Sequence, residues 1–222
     1  MLSKAIPTLL LFSLLALQFK SGAQLTKTAR CPAHWGLFEI NSSKMIQPGK
    51  HARKRKHLLK PKFITVHSTA NVSHGANAER HAQAQRNGAL KSTHNSLGYL
   101  SWHYTVDQSS IYRSLPDTEQ GQHADYQGQG NRESIGIGMC VNRGNSAPQT
   151  IDRTAKLVAL LMKRHGIPLA NVVPHQHWKR IRFKDGKDLG YKNCPGLLLE
   201  DGKLKRKWAN FKAAIQSYRR QL

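Results

Sequence analysis

Acidic residues are scarce. Only 12 Asp+Glu face 35 Lys+Arg in 222 residues, a formal net charge of +23 with histidine neutral. So large an excess excludes a surface made for cationic partners and favours polyanions: nucleic acid, anionic lipid or an anionic cell wall. Cysteines are few as well. Three in the chain exclude a disulfide-dense miniature scaffold, and the odd count leaves at least one thiol free, metal-bound or paired between chains. Charged residues make up 21% and hydrophobic residues 39%, which excludes a solvated disordered chain and leaves enough for a core. There is no internal repeat and no serine nucleophile elbow. Beyond the first 23 residues no segment is long and apolar enough to span a membrane.

Residues 1–23 read as a cleaved secretory signal peptide. Lys4 precedes an apolar stretch from Ala5 to Phe19, and Ser21 and Ala23 supply the small residues of a cleavage site. The alternative is an uncleaved anchor, since Lys20 closely follows the apolar run. No cysteine follows the cleavage region, so a lipoprotein signal is not supported. The expected location is secreted or periplasmic, which weakens the nucleic-acid reading of the charge.

Length gives a prior of one to two domains. Residues 24–61 are poor in periodic hydrophobics and carry Cys31, Trp35 and the cationic run of 50–62. They read as a basic extension with little structure of its own, ending at Pro61. From residue 62 the pattern changes. FITVHS (63–68) and SIGIGMCVN (134–142) read as buried strands, and SWHYTVD (101–107) with SIYRSL (110–115) as a hairpin. Residues 77–88 are rich in helix formers and stop at Gly88. Residues 150–166 predict a helix with Thr150 as N-cap, and 204–220 an amphipathic helix with Trp208, Phe211, Ile215 and Tyr218 on one stripe. Strands alternating with helices give an α/β domain over 62–222.

Twelve histidines are many for this length. His34, His51, His57, His74 and His81 lie in polar or basic contexts and read as surface residues. Two places differ. His67 ends an apolar strand, where polar side chains are often functional. The segment 172–196 then sets His175, His177 and Cys194 close together after an apolar run. Two histidines and a cysteine thiolate suit zinc and leave a fourth position for water. The alternative is a core histidine at 67 and an ordinary loop at 175–194.

Five blocks carry a resemblance: VHSTAN (66–71), SWHYTVD (101–107), the His-Ala-Asp at 123–125 within 122–142, HQHW (175–178) and KNCPG (192–196). In this order they resemble the zinc-dependent N-acetylmuramoyl-L-alanine amidases of the type-2 amidase family, which includes phage and bacterial autolysins and the animal peptidoglycan recognition proteins. The resemblance implies a single mixed central β-sheet flanked by helices. It implies cleavage of the amide between the lactyl group of N-acetylmuramic acid and L-Ala, with Zn2+ as cofactor. It matches His67, His175 and Cys194 to the metal ligands and Lys192 to the cation near the scissile carbonyl. His123, Trp102 and His103 match residues lining the substrate site.

The pattern is broken in two places. The family's SIGIEIC strand, whose Glu is the proposed general base, reads SIGIGMC here, with Gly138 in that position. Members without the Glu often carry a Tyr where this chain has Trp102. Tyr104, two residues on, and His177, where the family commonly has Asp, are the candidate substitutes; such help is worth roughly 10²–10⁴-fold. The His175–Cys194 gap is also longer than the family's. The insertion, roughly 179–191, is basic and reads as a loop at the rim of the cleft, able to contact anionic polymer or supply Asp185 or Asp188. His177 as the ligand in place of His175 stays open. Cys140 reads as a buried strand residue, which argues against pairing with Cys31. The expected partners are peptidoglycan or muropeptides, with anionic cell-wall polymer on the basic segments, no nucleic acid, and a monomeric protein. A binding module of the same fold, and a polyanion-binding protein, are the competing readings.

Overall fold

The computed structural model describes residues 32–222, apart from Leu37 and Gln127. Residues 1–23, expected to be a signal peptide, and Cys31 lie outside the described residues. Ten elements follow in order: β1 (Ile40–Asn41), β2 (Phe63–Ser68), α1 (Ala78–Arg86), β3 (Tyr104–Val106), β4 (Ile111–Arg113), α2 (Gln129–Glu133), β5 (Ser134–Met139), α3 (Ala147–His165), β6 (Val172–Pro174) and α4 (Arg206–Arg220). They build one six-stranded mixed sheet, ordered β1-β4-β3-β5-β2-β6, in which only the β3–β4 pair is antiparallel.

Alternation along the strands sorts the side chains to two faces. One face presents Ile64 and Val66 of β2, Tyr104 and Val106 of β3, and Ile135, Ile137 and Met139 of β5, all fully buried against Leu157 and Leu161 of α3 and Phe211 and Ile215 of α4. The other face carries Thr65, His67, Thr105, Gly136 and Gly138. The in-register pairing of β2 with β5 sets His67 directly beside Gly138.

Local chemistry fixes the helices. The Asn77 side chain caps α1 by accepting from the Arg80 N–H at 3.0 Å. The helix α3 starts at Ala147 behind Ser146, with Pro148 in its first turn, and stops where Gly166 turns left-handed at φ 66°. Thr150 is therefore interior and not the cap: its hydroxyl donates back to the Ser146 carbonyl at 2.9 Å. His81 is buried, not a surface residue, with its Nδ1 on the Asn77 carbonyl at 2.9 Å.

The segment before Pro61 has more structure than its sequence predicts. β1 extends the sheet at β4, Trp35 is buried against Phe38 and Tyr218, and Ile46 and Ala52 pack on Leu115. Leu59 is buried, with its N–H on the Thr118 carbonyl at 2.8 Å. Arg53 makes a two-pronged ion pair with Glu119, both contacts 2.7 Å. Scattered single anchors leave no periodicity to read, which is why composition pointed to an unstructured extension. The cations Lys54, Arg55, Lys56 and Lys60 do face solvent. Among the described residues no helix is long and apolar enough to cross a membrane.

Ile46→Ala should cost about 2–5 kcal/mol of stability, as for a core truncation, in urea unfolding; a loss near zero would mean that this segment is not part of the fold.

Candidate metal centre and cleft

His67 stands at the end of β2, His175 follows β6 at once, and Cys194 arrives on the loop before α4. Donor atoms of these three buried residues lie within 4.8 Å of one another. The Cys194 sulfur also takes the Ser68 N–H at 3.3 Å, which ties the loop to the end of β2.

Hydrogen bonds fix which ring nitrogens carry protons. His175 Nε2 faces the Ala124 carbonyl at 2.9 Å. A carbonyl only accepts, so this nitrogen is protonated and Nδ1 of the neutral ring is a lone pair. His123 Nε2 faces the Ser134 carbonyl at 3.3 Å, which makes its own Nδ1 an acceptor. His67 Nε2, 3.0 Å from that acceptor, must donate. His67 Nδ1 is then a second lone pair, 3.0 Å from the first. Two lone pairs and a sulfur in this space repel unless a cation lies among them, so the donor set fits a metal ion.

The electrostatics agree. Burial holds His67 well below the ordinary imidazole value, helped by His175, His123 and Lys192. Burial lowers His175 to about 4. Both rings stay neutral, as ligands must be. Burial raises the Cys194 thiol, opposed by the Ser68 N–H and Lys192; a bound dication would deprotonate it outright. Two nitrogens and a sulfur are a zinc set with a fourth position open.

The cleft over these residues has room for about 160 Å³. Gly138 of β5 forms part of its floor, with the Trp102 indole against it, while the His123 ring lies over Gly136. A Cβ at 136 would lie 2.7 Å from the His123 ring, and one at 138 would lie 3.0 Å from Trp102 Nε1. Asp125, from the His-Ala-Asp block, accepts the N–H groups of Gly128, Gly130 and Asn131 at 2.6–3.1 Å. It shapes the loop that carries His123 and Ala124 and touches no ligand.

His123, Trp102 and Lys192 line the cleft as the blocks predict. Three other expectations are corrected. Tyr104 lies on the opposite face of the sheet, fully buried, with its hydroxyl donated to Asp117. A bend at His103 breaks the strand between Trp102 and Tyr104, so alternation counted through it fails; Trp102 instead shares a face with Thr105, whose Oγ1 accepts its indole N–H at 2.8 Å. His103 does not line the cleft. It is buried beneath, bonded to the Glu119 carbonyl at 2.8 Å and the Gly136 N–H at 2.9 Å, and backs His123. His177 is exposed and packs edge-on against Trp178, outside the donor cluster. Asp185 and Asp188 of the insertion are held by Arg182 and Lys179. Cys140 is buried and free. Sequence reasoning missed Arg180, Tyr126 and Leu100, which also line the cleft; they lie outside the five blocks.

The family model for N-acetylmuramoyl-L-alanine amidase matches residues 57–197, well over half of the chain. The chain belongs to this family. Among curated relatives, the N-acetylmuramoyl-L-alanine amidase XlyA of Bacillus subtilis (strain 168) is 39% identical over 160 residues, 72% of this chain and 46% of that protein. CwlH of the same organism is 36% identical over 180 residues, 80% of this chain and 62% of that protein. The chain thus spans about half to under two thirds of these relatives' length. Among solved structures, a mutant endolysin from Bacillus subtilis is 40% identical with a TM-score of 0.65, covering 81% of this chain and 99% of that one. The catalytic domain of XlyA is 38% identical with a TM-score of 0.64, covering 80% and 99%. The mixed sheet with flanking helices is the fold of these family members.

Two outcomes follow from the donor set. His123→Ala frees His67 Nε2 and should weaken zinc affinity roughly 10- to 100-fold in competition with a chromophoric chelator; unchanged affinity would refute the tautomer chain. The second concerns pH. Burial lowers His103 from 6.5 to about 4, so between these values the unfolded chain binds the extra proton. Stability of the metal-free protein should fall as pH drops from about 6.5 to 4, by up to about 1.4 kcal/mol per pH unit for this one ring. His67, His123 and His175 add to the fall, while Asp125, raised by burial, opposes it. Denaturant unfolding at several pH values reads the slope, and His103→Gln should flatten it.

Proposed function

We propose that this chain is an exported zinc-dependent amidase that hydrolyses the amide between N-acetylmuramic acid and L-Ala in peptidoglycan. The observation that carries the reading is the convergence of His67 Nδ1, His175 Nδ1 and the Cys194 sulfur beneath a cleft that Lys192 borders. Zinc in such a set supplies Lewis-acid polarisation of a carbonyl and brings the pKa of water toward neutrality. The chain's residues do the rest. His123 and the Ala124 carbonyl hold the ligand rings in the metal-binding tautomer. Lys192, exposed at the cleft edge, places a cation where negative charge develops on the scissile oxygen. Gly138, beside His67, adds no side chain to the cleft floor. Among the described residues that line the cleft there is no carboxylate, and Trp102 covers the position where the family carries its Glu.

That substitution favours a second reading, a muropeptide-binding protein of the same fold with weak or no turnover. Export rests on residues 1–23, with a secreted or periplasmic location. The exposed cations of 54–60 and of the insertion are proposed to hold anionic wall polymer, and the protein is proposed to act as a monomer. The absence of nucleic-acid binding belongs to the same proposal.

Digests of purified sacculi, read by mass spectrometry, should release free stem peptides beginning with L-Ala. Chelation should stop the release and zinc restore it. Cys194→Ala should abolish it, and Lys192→Ala should lower kcat by roughly 10²–10³-fold. Full activity in Cys194→Ala would sink the amidase reading; bound zinc and bound muropeptide without product would establish the binding module instead. Gly138→Glu alone should bring little gain, because its Cβ meets the Trp102 indole, whereas pairing it with Trp102→Ala makes room.

A further inference from the structure

The insertion is not an open loop. Residues 180–190 fold as a small hairpin, with the Arg180 N–H on the Gly190 carbonyl at 3.1 Å, the Leu189 N–H on the Arg180 carbonyl at 2.9 Å, and an Ile181–Asp188 bridge between its arms. The Phe183 N–H donates to the His94 carbonyl at 3.0 Å and docks the tip on the body of the domain. Its acids are already paired: Asp185 with Arg182 inside it, Asp188 with Lys179 at its base. Arg180 is treated differently. Its Nε donates to the Gly190 carbonyl at 3.1 Å and its Nη2 to the Leu189 carbonyl at 2.6 Å. These two anchors fix the plane of the guanidinium without neutralising it. The side chain is half-buried, pairs with no acid among the described residues, and lines the cleft with Lys192. Its charge is close enough to His175 to help lower that ring's pKa.

A pre-oriented, partly desolvated cation with no internal counter-charge is unfavourable to hold unless a ligand anion completes it. Arg180 lines the same cleft as His67, His175 and Lys192, so an anion that completes it lies near the scissile amide. Of the uncharged lactyl–Ala amide and the residue after it, the anionic group is the free carboxylate of the second stem residue when that residue is a γ-linked glutamate. Amidation of this carboxylate removes the charge and turns two acceptors into one acceptor and a donor, which a guanidinium cannot satisfy.

We infer that Arg180, held by the 180–190 hairpin, reads the free carboxylate of the second stem residue and makes the protein selective for acidic over amidated stem peptides. This rests on the amidase reading for the identity of the substrate. The charge-assisted contact is worth roughly 10- to 100-fold in kcat/KM.

The test uses two soluble substrates, N-acetylmuramoyl-L-Ala-D-isoglutamate and its isoglutamine counterpart, with the zinc-loaded protein. The acid should be preferred by that factor. Arg180→Gln should bring the ratio toward one by slowing the acid substrate far more than the amide, while Arg182→Gln, on the same hairpin but paired with Asp185, should keep the wild-type ratio. Equal rates on the two substrates, or an equal loss on both in Arg180→Gln, would overturn the inference. Calorimetric binding of the same two ligands runs beside the kinetics. Turnover of neither would defeat the amidase reading, and tighter binding of the acid that Arg180→Gln removes would still support the carboxylate subsite; equal binding would refute it.

Discussion

Everything in the site depends on the register between β2 and β5. Their six in-line pairs place His67 against Gly138 and send alternate residues to opposite faces. One face becomes a dry core closed by α3 and α4. The other receives the polar residues and two glycines. A one-residue slip would drive His67 into the core and Val66 into the cleft. The buried isoleucines of β5 thus act at a distance on the chemistry, because they are what forbids the slip.

Around that register the donors are oriented by hydrogen bonds whose far ends are backbone carbonyls. Ser134 opens β5 and Ala124 lies on the loop shaped by Asp125, so the protonation pattern of His123, His67 and His175 is written by main-chain geometry. Lys192 and Arg180 then set the sign of the space above. The result is a neutral donor set under a positive rim, with the acids of the neighbourhood turned inward or paired off.

The sequence makes the chemistry more legible than the architecture around it. His67, His175 and Cys194 are readable because ligand types recur in blocks of fixed local pattern, and those blocks hold together here. Tyr104 misleads because a bend at His103, which no residue pattern announces, interrupts the alternation. His103 looks like a site residue for a different reason: it belongs to the same resembling block as Trp102. Residues 32–61 look unstructured because their contributions to the core are single anchors such as Trp35, Ile46 and Leu59, separated by solvated cations. Arg180 was hidden inside an insertion whose composition resembles any basic surface loop; only the carbonyl anchors at Leu189 and Gly190 distinguish it from its neighbours.

The Arg53–Glu119 clamp and the Leu58–Glu119 bridge bind the cationic strip 54–60 to the chain segment that runs on through Gln122 to His123. The strip is therefore no loose tether. Any surface gripped by Lys54, Arg55 and Lys56 is held at a constant offset and orientation from the metal ligands. A flexible arm would let the cleft sweep a volume around its anchor. A rigid strip instead fixes the distance between whatever it holds and the cleft, as a ruler does.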